Sequence, residues 1–415
     1  MTRPSLFLFI PFLMMLSPLV AAQPADAAKT VSITAETPAP PRFVVRGKAL
    51  IDLIHPEKPV FFRGMGYSPY LPGETPVLRT PPGDDDRYPT HLALIKDLGA
   101  NYLHVFPRFM PPKFFTALDT TDLVYSQDIW VWAYEEDFLA PAFQEKTLND
   151  IKDVIDHTYK VGRPDRLVLF SIGDELQPKC ITSTDARHPD VHDYRGKHLV
   201  VTGRTPTEVA VAKLVDEAMD YELTRYGRRH LYCHTSFTHV GPIANRPDLE
   251  VSQESVLVPD MGDLVCLNLY TYANGVRTSP PGSITGTTYQ GYLEQLATEM
   301  HKPILVTQVG LSTSPIAPKP WIPGFGGNKV EDVPKTFESV WKDIRTARGR
   351  EIFCGLVFFE LQDEWWKTAK SPEGSTRHDP DDPEQWFGLY ETGTNHTLSP
   401  KGTLPATVKR LFAEP

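Results

Sequence analysis

From Val44 onward the chain repeats one pattern: a short apolar run, a polar turn, then a segment with apolar residues at helical spacing. "FVVRGKALIDL" predicts an opening β-hairpin. Eight runs then read as strands: "PVFFRGMGY", "NYLHVF", "IWVWAY", "RLVLFSI", "HLYCHTS", "LVCLNLY", "PILVTQ" and "IFCGLVFFE". Between them lie helical segments. In "TLNDIKDVIDHTY", for example, Leu148, Ile151, Ile155 and Tyr159 share one face. The clearest helix starts at "TPTE": Thr205 caps, Pro206 suits the first turn, and Glu208 closes a capping box. Val211, Leu214, Val215 and Ala218 then form its buried face, and Gly227 stops it. Further helices are expected near 288–300, near 333–347 and at "LPATVKRLF".

Short strands that are apolar on both faces belong to a parallel sheet covered by helices. Eight strand–helix units predict an α/β fold, a (β/α)8 TIM barrel with a short N-terminal β-hairpin. A doubly wound open sheet is the alternative, but no Gly-rich phosphate turn follows the first strand.

The first residues read as an address. Arg3, an apolar run from Leu6 to Val20 and the small residues Val20-Ala21-Ala22 predict a signal peptide over 1–22. A disordered lead-in is expected over 23–42 and the barrel over 43–415, in a secreted or periplasmic protein with no membrane insertion after signal removal. A net charge of −10 without a Lys/Arg cluster argues against nucleic acid. Cys233, Cys266 and Cys354 fall inside strand runs as buried thiols, and Cys180 falls in a polar loop. No Cys/His spacing suggests a metal, and no cofactor is implied.

In a barrel of this kind the chemistry collects at the C-terminal strand ends, where this sequence places unusual residues. Strand four ends "SIGDEL" with Asp174 and Glu175, adjacent acids whose proximity and partial burial would raise a carboxyl pKa toward that of a general acid. A pair favoured only by a following helix dipole is the structural alternative. Strand six leads into Tyr270 and Tyr272. Strand eight leads into Glu360, Asp363, Glu364, Trp365 and Trp366, and Trp132 and Tyr134 end strand three. Singly, such aromatics are usually packing residues; gathered on one rim beside acids, they suit a sugar. The loop 313–328, with Trp321 and Phe325, is long enough to serve as a lid or sugar platform. "HDPDDPE" at 378–384 reads as a solvated acidic loop.

These segments together resemble the clan A glycoside hydrolase barrels, in particular bacterial relatives of the β-1,3-glucanosyltransferases and β-galactosidase-type catalytic domains. The likeness runs through "FFRGMGYSPY", "LIKDLGANYLHVF", "GDE", "DLVCLNLYTY", "KPILVTQVG", "FFELQDEWWK", "WFGLYE" and "SPKGT". The resemblance implies a (β/α)8 fold, a β-linked poly- or oligosaccharide partner, and Glu175 as acid/base at the end of strand four. It also implies a carboxylate nucleophile at the end of strand seven. Gln308 stands there instead. An amide does not readily form the ester intermediate. The family's strand-two Arg is His104 here, the Asn before its acid/base is Asp174, and the Trp that often closes strand eight is Leu361.

Three readings stay open. The chain is a glycoside hydrolase or transglycosylase with altered machinery, its base drawn from Asp174, Glu360 or Glu364, or its Gln308 orienting a substrate 2-acetamido group. Otherwise it is a degenerate barrel that binds polysaccharide without cleaving it, or a cell-envelope scaffold. Hydrolysis through a second protein carboxylate requires one near Glu175.

Overall fold

The computed structural model describes residues 41–76, 79–131, 133, 135–238, 241–243, 246–251, 256–272, 286–317, 324–367 and 373–414. The signal peptide, nearly all of the lead-in, Trp132, Tyr134 and Trp321 lie outside the described residues.

Eight parallel strands close into a barrel. They are β1 (Phe62–Tyr67), β2 (Tyr102–Val105), β3 (Val124–Ile129), β4 (Leu167–Asp174), β5 (Leu231–Phe237), β6 (Val265–Asn268), β7 (Ile304–Val309) and β8 (Phe353–Phe358). Each pairs with its sequence neighbours, and β8 closes on β1 with Gly355 opposite Phe62. The helices are α1 (Arg87–Asp97), α2 (Pro112–Leu118), α3 (Pro141–Lys160), α4 (Pro178–Arg187), α5 (Pro206–Tyr226), α6 (Thr288–Glu299), α7 (Val333–Thr346) and α8 (Leu404–Ala413). None of them is long and apolar enough to cross a membrane.

The hairpin Phe43–Arg46/Ala49–Asp52 turns at Gly47, where φ is +59°. It is pinned by the Arg42–Asp52 ion pair at 2.6 Å. Phe43 and Leu50 from this hairpin join Phe62, Tyr102, Leu169, Cys233, Cys266, Leu305 and Cys354 in a dry cluster contributed by all eight strands. The Phe62 and Tyr102 rings stack at 4.4 Å. Glycine makes room for them: a Cβ on Gly355 would lie 2.6 Å from the Phe62 Cβ.

α5 carries the expected capping box, Thr205 with Glu208, and ends at Gly227 with φ +63°. Two expectations are corrected. The third strand is Val124–Ile129 rather than "IWVWAY". Its interior positions Ser126 and Asp128 are polar, which breaks the apolar signature, and Trp130, Val131 and Ala133 beyond it are not in a strand. Cys180 is not in a loop but lies fully buried within α4.

Candidate active site

β4 reaches the barrel mouth with a kink. Its register shifts between Ser171 and Asp174, Gly173 has φ +73°, and Glu175 itself has φ +48°. A side chain at Gly173 would press on Leu176 and His234. A glutamate in left-handed backbone is uncommon and marks a place where surrounding structure dictates the conformation.

A web of amides fixes the two acids. Asn268, at the end of β6, donates from Nδ2 to Asp174 Oδ1 and to Glu175 Oε1, both at 2.8 Å. Thr307 on β7 holds the other end of that amide, its hydroxyl donating to Asn268 Oδ1 at 2.7 Å. Gln308 donates from Nε2 to Asp174 Oδ2 at 2.9 Å and accepts the Tyr270 hydroxyl on Oε1 at 2.6 Å. Asp174, Glu175, Gln308 and Tyr270 thus meet as the sequence suggested. Asn268 was missed, although a lone amide ending an apolar run is the same signal that singled out Gln308.

Asp174 is half-buried and crowded by protein. Burial, the Asp128 carboxyl and then Glu175 push its pKa well above the usual carboxylate range, while Asn268 and Lys367 oppose the shift. Asp128, on β3, is fully buried and likewise held up, by burial first.

His104, at the position of the family's strand-two Arg, lies in a buried pair with Ser126. It is fully buried on β2, its Nδ1 is 2.8 Å from the Ser126 hydroxyl, and burial depresses its pKa to about 3, so it is neutral.

A second group surrounds Lys367, just after β8. Its ammonium lies 5.0 Å from the Trp366 ring centre, 5.5 Å from Phe359 and 5.9 Å from Trp130. Glu364 pairs with it at 3.4 Å and also accepts the Trp366 indole N–H at 2.9 Å. Glu360 is buried beside Glu364. Burial and then that neighbour raise its pKa well above normal, with Lys367 opposing. The Phe359–Glu360 peptide bond is cis.

Glu384 completes this group, which corrects the reading of 378–384 as a solvated acidic loop. It sits in the short turn Pro383–Trp386. Gln385 ties that turn to the strand-eight loop, donating to the Trp365 and Lys367 carbonyls at 3.2 and 3.1 Å. Ser312, after β7, donates to the Pro383 carbonyl at 2.6 Å. Burial pushes the Glu384 carboxyl up to about 7, Lys367 pulls it down, and Asp382 and Glu175 push it further up. Glu384 is therefore within electrostatic reach of Glu175. No spacing in the sequence signals this, because the two acids stand more than two hundred residues apart.

Trp365 is not a sugar platform. It is 7% exposed, and its ring stacks on His378 at 5.2 Å, which stacks in turn on Trp386 at 3.4 Å. Phe325, from the Pro-rich loop, is buried against Tyr272 and Phe387. Among the described residues no cluster of His, Cys, Asp and Glu is arranged to hold a metal ion.

No protein-family model matches the sequence, and no curated protein sequence matches it. Solved structures do. A GH2 β-galacturonidase from Eisenbergiella tayi bound to galacturonate superposes with TM-score 0.54 at 14% identity, over 89% of this chain and 54% of that one. A β-glucuronidase from Parabacteroides merdae gives 0.55 at 12% identity, over 90% and 39%. Gas2 gives 0.54 at 14% identity, over 90% and 69%. The chain thus spans about half or less of the two first-named enzymes. At these identities the likeness establishes the fold class, a (β/α)8 barrel shared with glycoside hydrolases.

Proposed function

We propose that this chain is a glycosidase acting on O-glycosidic bonds of a β-linked poly- or oligosaccharide, with Glu175 as proton donor and Glu384 as the second carboxylate. The reading rests chiefly on one observation: the structure brings Glu384, held up to about 7, into electrostatic reach of Glu175 at the barrel mouth. A base poised near neutrality is suited to taking a proton from water. Glu175 then protonates the departing glycosidic oxygen while Glu384 activates the water, which gives inversion at the anomeric carbon. Both ends of the Gln308 amide are engaged by protein, so it shapes the subsite rather than attacking the sugar. Asp174, its pKa raised by burial, stands beside the sugar hydroxyls in this reading. The neighbours' named activities toward glucuronides and galacturonides agree with glycosidic chemistry in this fold. The leader-like sequence at 1–22 supports work outside the cytoplasm, secreted or periplasmic.

The engaged amide at the strand-seven position also favours a second reading, a barrel that binds polysaccharide without cleaving it. Product release from β-1,3-, β-1,4- and 2-acetamido-containing oligosaccharides separates the two. For the hydrolase, Glu175→Gln lowers turnover by about 10²–10⁴-fold, the range for a lost general acid, and the released sugar is inverted by NMR. Equal turnover in Glu175→Gln sinks the assignment. Silence in the natural protein with activity appearing in Gln308→Glu establishes the binder.

A further inference from the structure

Beside the carboxylate group, and sharing Trp130 and Trp366 with the Lys367 cage, a cleft opens between the loops that follow β1, β2, β3 and β8. Tyr70, Phe106, Phe109, Trp130 and Trp366 wall it. Two arginines, Arg79 and Arg108, also line it, an odd choice for a protein of net charge −10.

The charges around these arginines do not balance. Asp150 on α3 is the carboxylate beside them, and Arg79 takes it through two short contacts, 2.5 and 2.7 Å. Arg108 reaches the same carboxylate only at 3.6 Å, and Lys146 approaches it at 3.5 Å. One carboxylate therefore serves three cations. The Arg108 side chain is 8% exposed and its Nε has no hydrogen-bond partner. Burial works against its charge, Asp150 supports it, and the like charge of Arg79 works against it again. Asp128, the other acid that acts on Arg108, is itself held toward the neutral form. A guanidinium does not escape by losing its proton, so the cost stands until an anion arrives. The loop is also fixed in advance, since Gln127 Nε2 donates to the Pro107 carbonyl at 2.8 Å.

We propose that this cleft is a subsite for a sugar residue bearing an anionic substituent, a carboxylate or a sulfate ester, with Arg108 as its counter-charge and the aromatic walls against the ring faces. The inference extends the glycosidase reading and rests on it for the sugar itself. Rings that cover apolar sugar faces supply affinity without charge selectivity, and a buried guanidinium fork supplies the selectivity.

The test is a fluorescence titration in which Trp130 and Trp366 report occupancy, using glucuronic acid, galacturonic acid, glucose 6-sulfate and glucose. The acidic sugars are expected to bind at least about tenfold tighter than glucose, the worth of one charge-assisted hydrogen bond, and to weaken as salt rises. Arg108→Gln should bring the acidic-to-neutral affinity ratio close to one, and Arg108→Lys should restore part of it. The restoration shows that charge, not collapse of the cleft, is responsible. Preference for the uronic acids over the sulfate identifies the carboxylate, and the reverse identifies the ester. Glucose binding as tightly as the acids, or a preference that survives Arg108→Gln, overturns the proposal while leaving the glycosidase reading intact. Absence of binding by every sugar, together with absent turnover, overturns both.

Discussion

Two lysines, Lys401 buried and Lys367 half-buried, behave in opposite ways. Lys401 meets one carboxylate, Asp363 at 2.5 Å, and gives its other protons to the Thr313 hydroxyl and the Trp386 carbonyl, both at 3.0 Å. Each of its donors has a partner, and the three segments it touches are locked together. Lys367 has the reverse arithmetic: Glu364, Glu360 and Glu384 all act on it, its nearest ion pair is 3.4 Å, and three aromatic rings surround it. A matched set of charges makes a clamp. A surplus of acids around one cation keeps some carboxyls protonated near neutral pH, which is what a proton-moving site needs.

The sharpest way to break this contrast is Lys401→Met. It strips a buried carboxylate of its cation, which costs about 3 kcal/mol at pH 8 by the behaviour of broken buried pairs. Asp363 already titrates at about 7, raised by burial against the pull of Lys401, so the loss should shrink toward pH 6 as the acid takes up a proton. Urea unfolding at the two pH values checks this, and a pH-independent loss would contradict it.

Glu384→Gln tests the surplus side. The folded carboxyl is raised from 4.5 to about 7, so below 4.5 it contributes nothing, its destabilisation grows as pH rises from 4.5 to 7, and above 7 it levels off. The variant should therefore gain stability over the natural protein as pH rises, by about 3 kcal/mol at pH 8, while turnover falls. Lys367→Met should alter unfolding less than Lys401→Met does. It should move the acidic limb of the kcat/KM profile to higher pH, because Lys367 is what holds the Glu384 carboxyl down. The smallest effect belongs to Thr205→Ala, far from both lysines: it removes a capping box for about 1 kcal/mol and leaves the pH profile where it was.

The barrel was legible because interior strands must be apolar on both faces, and seven of the eight runs match strands. The exception is instructive. β3 carries the buried polar residues Ser126 and Asp128, which erased the hydrophobic signal in this strand. Asp174, Glu175 and Gln308 could be read from the sequence because strand ends are fixed by the strands themselves. Glu384, Lys367 and Arg108 could not, since they arrive on loops whose paths are set by contacts such as Gln385 to the Lys367 carbonyl. Trp365 misled for a related reason: composition cannot say which of two adjacent tryptophans turns inward to stack on His378.

The closure of β8 on β1 bears on how the chain is made. Gly355 finds Phe62 across nearly three hundred intervening residues, and until it does, both strands present unsatisfied edges. A ribosome must therefore release most of the polypeptide before the ring can shut, and pairings so distant in sequence form slowly. A nascent chain halted before Phe353 would carry two sticky edges and no means of covering them, so its fate is to be held by a chaperone or to clump.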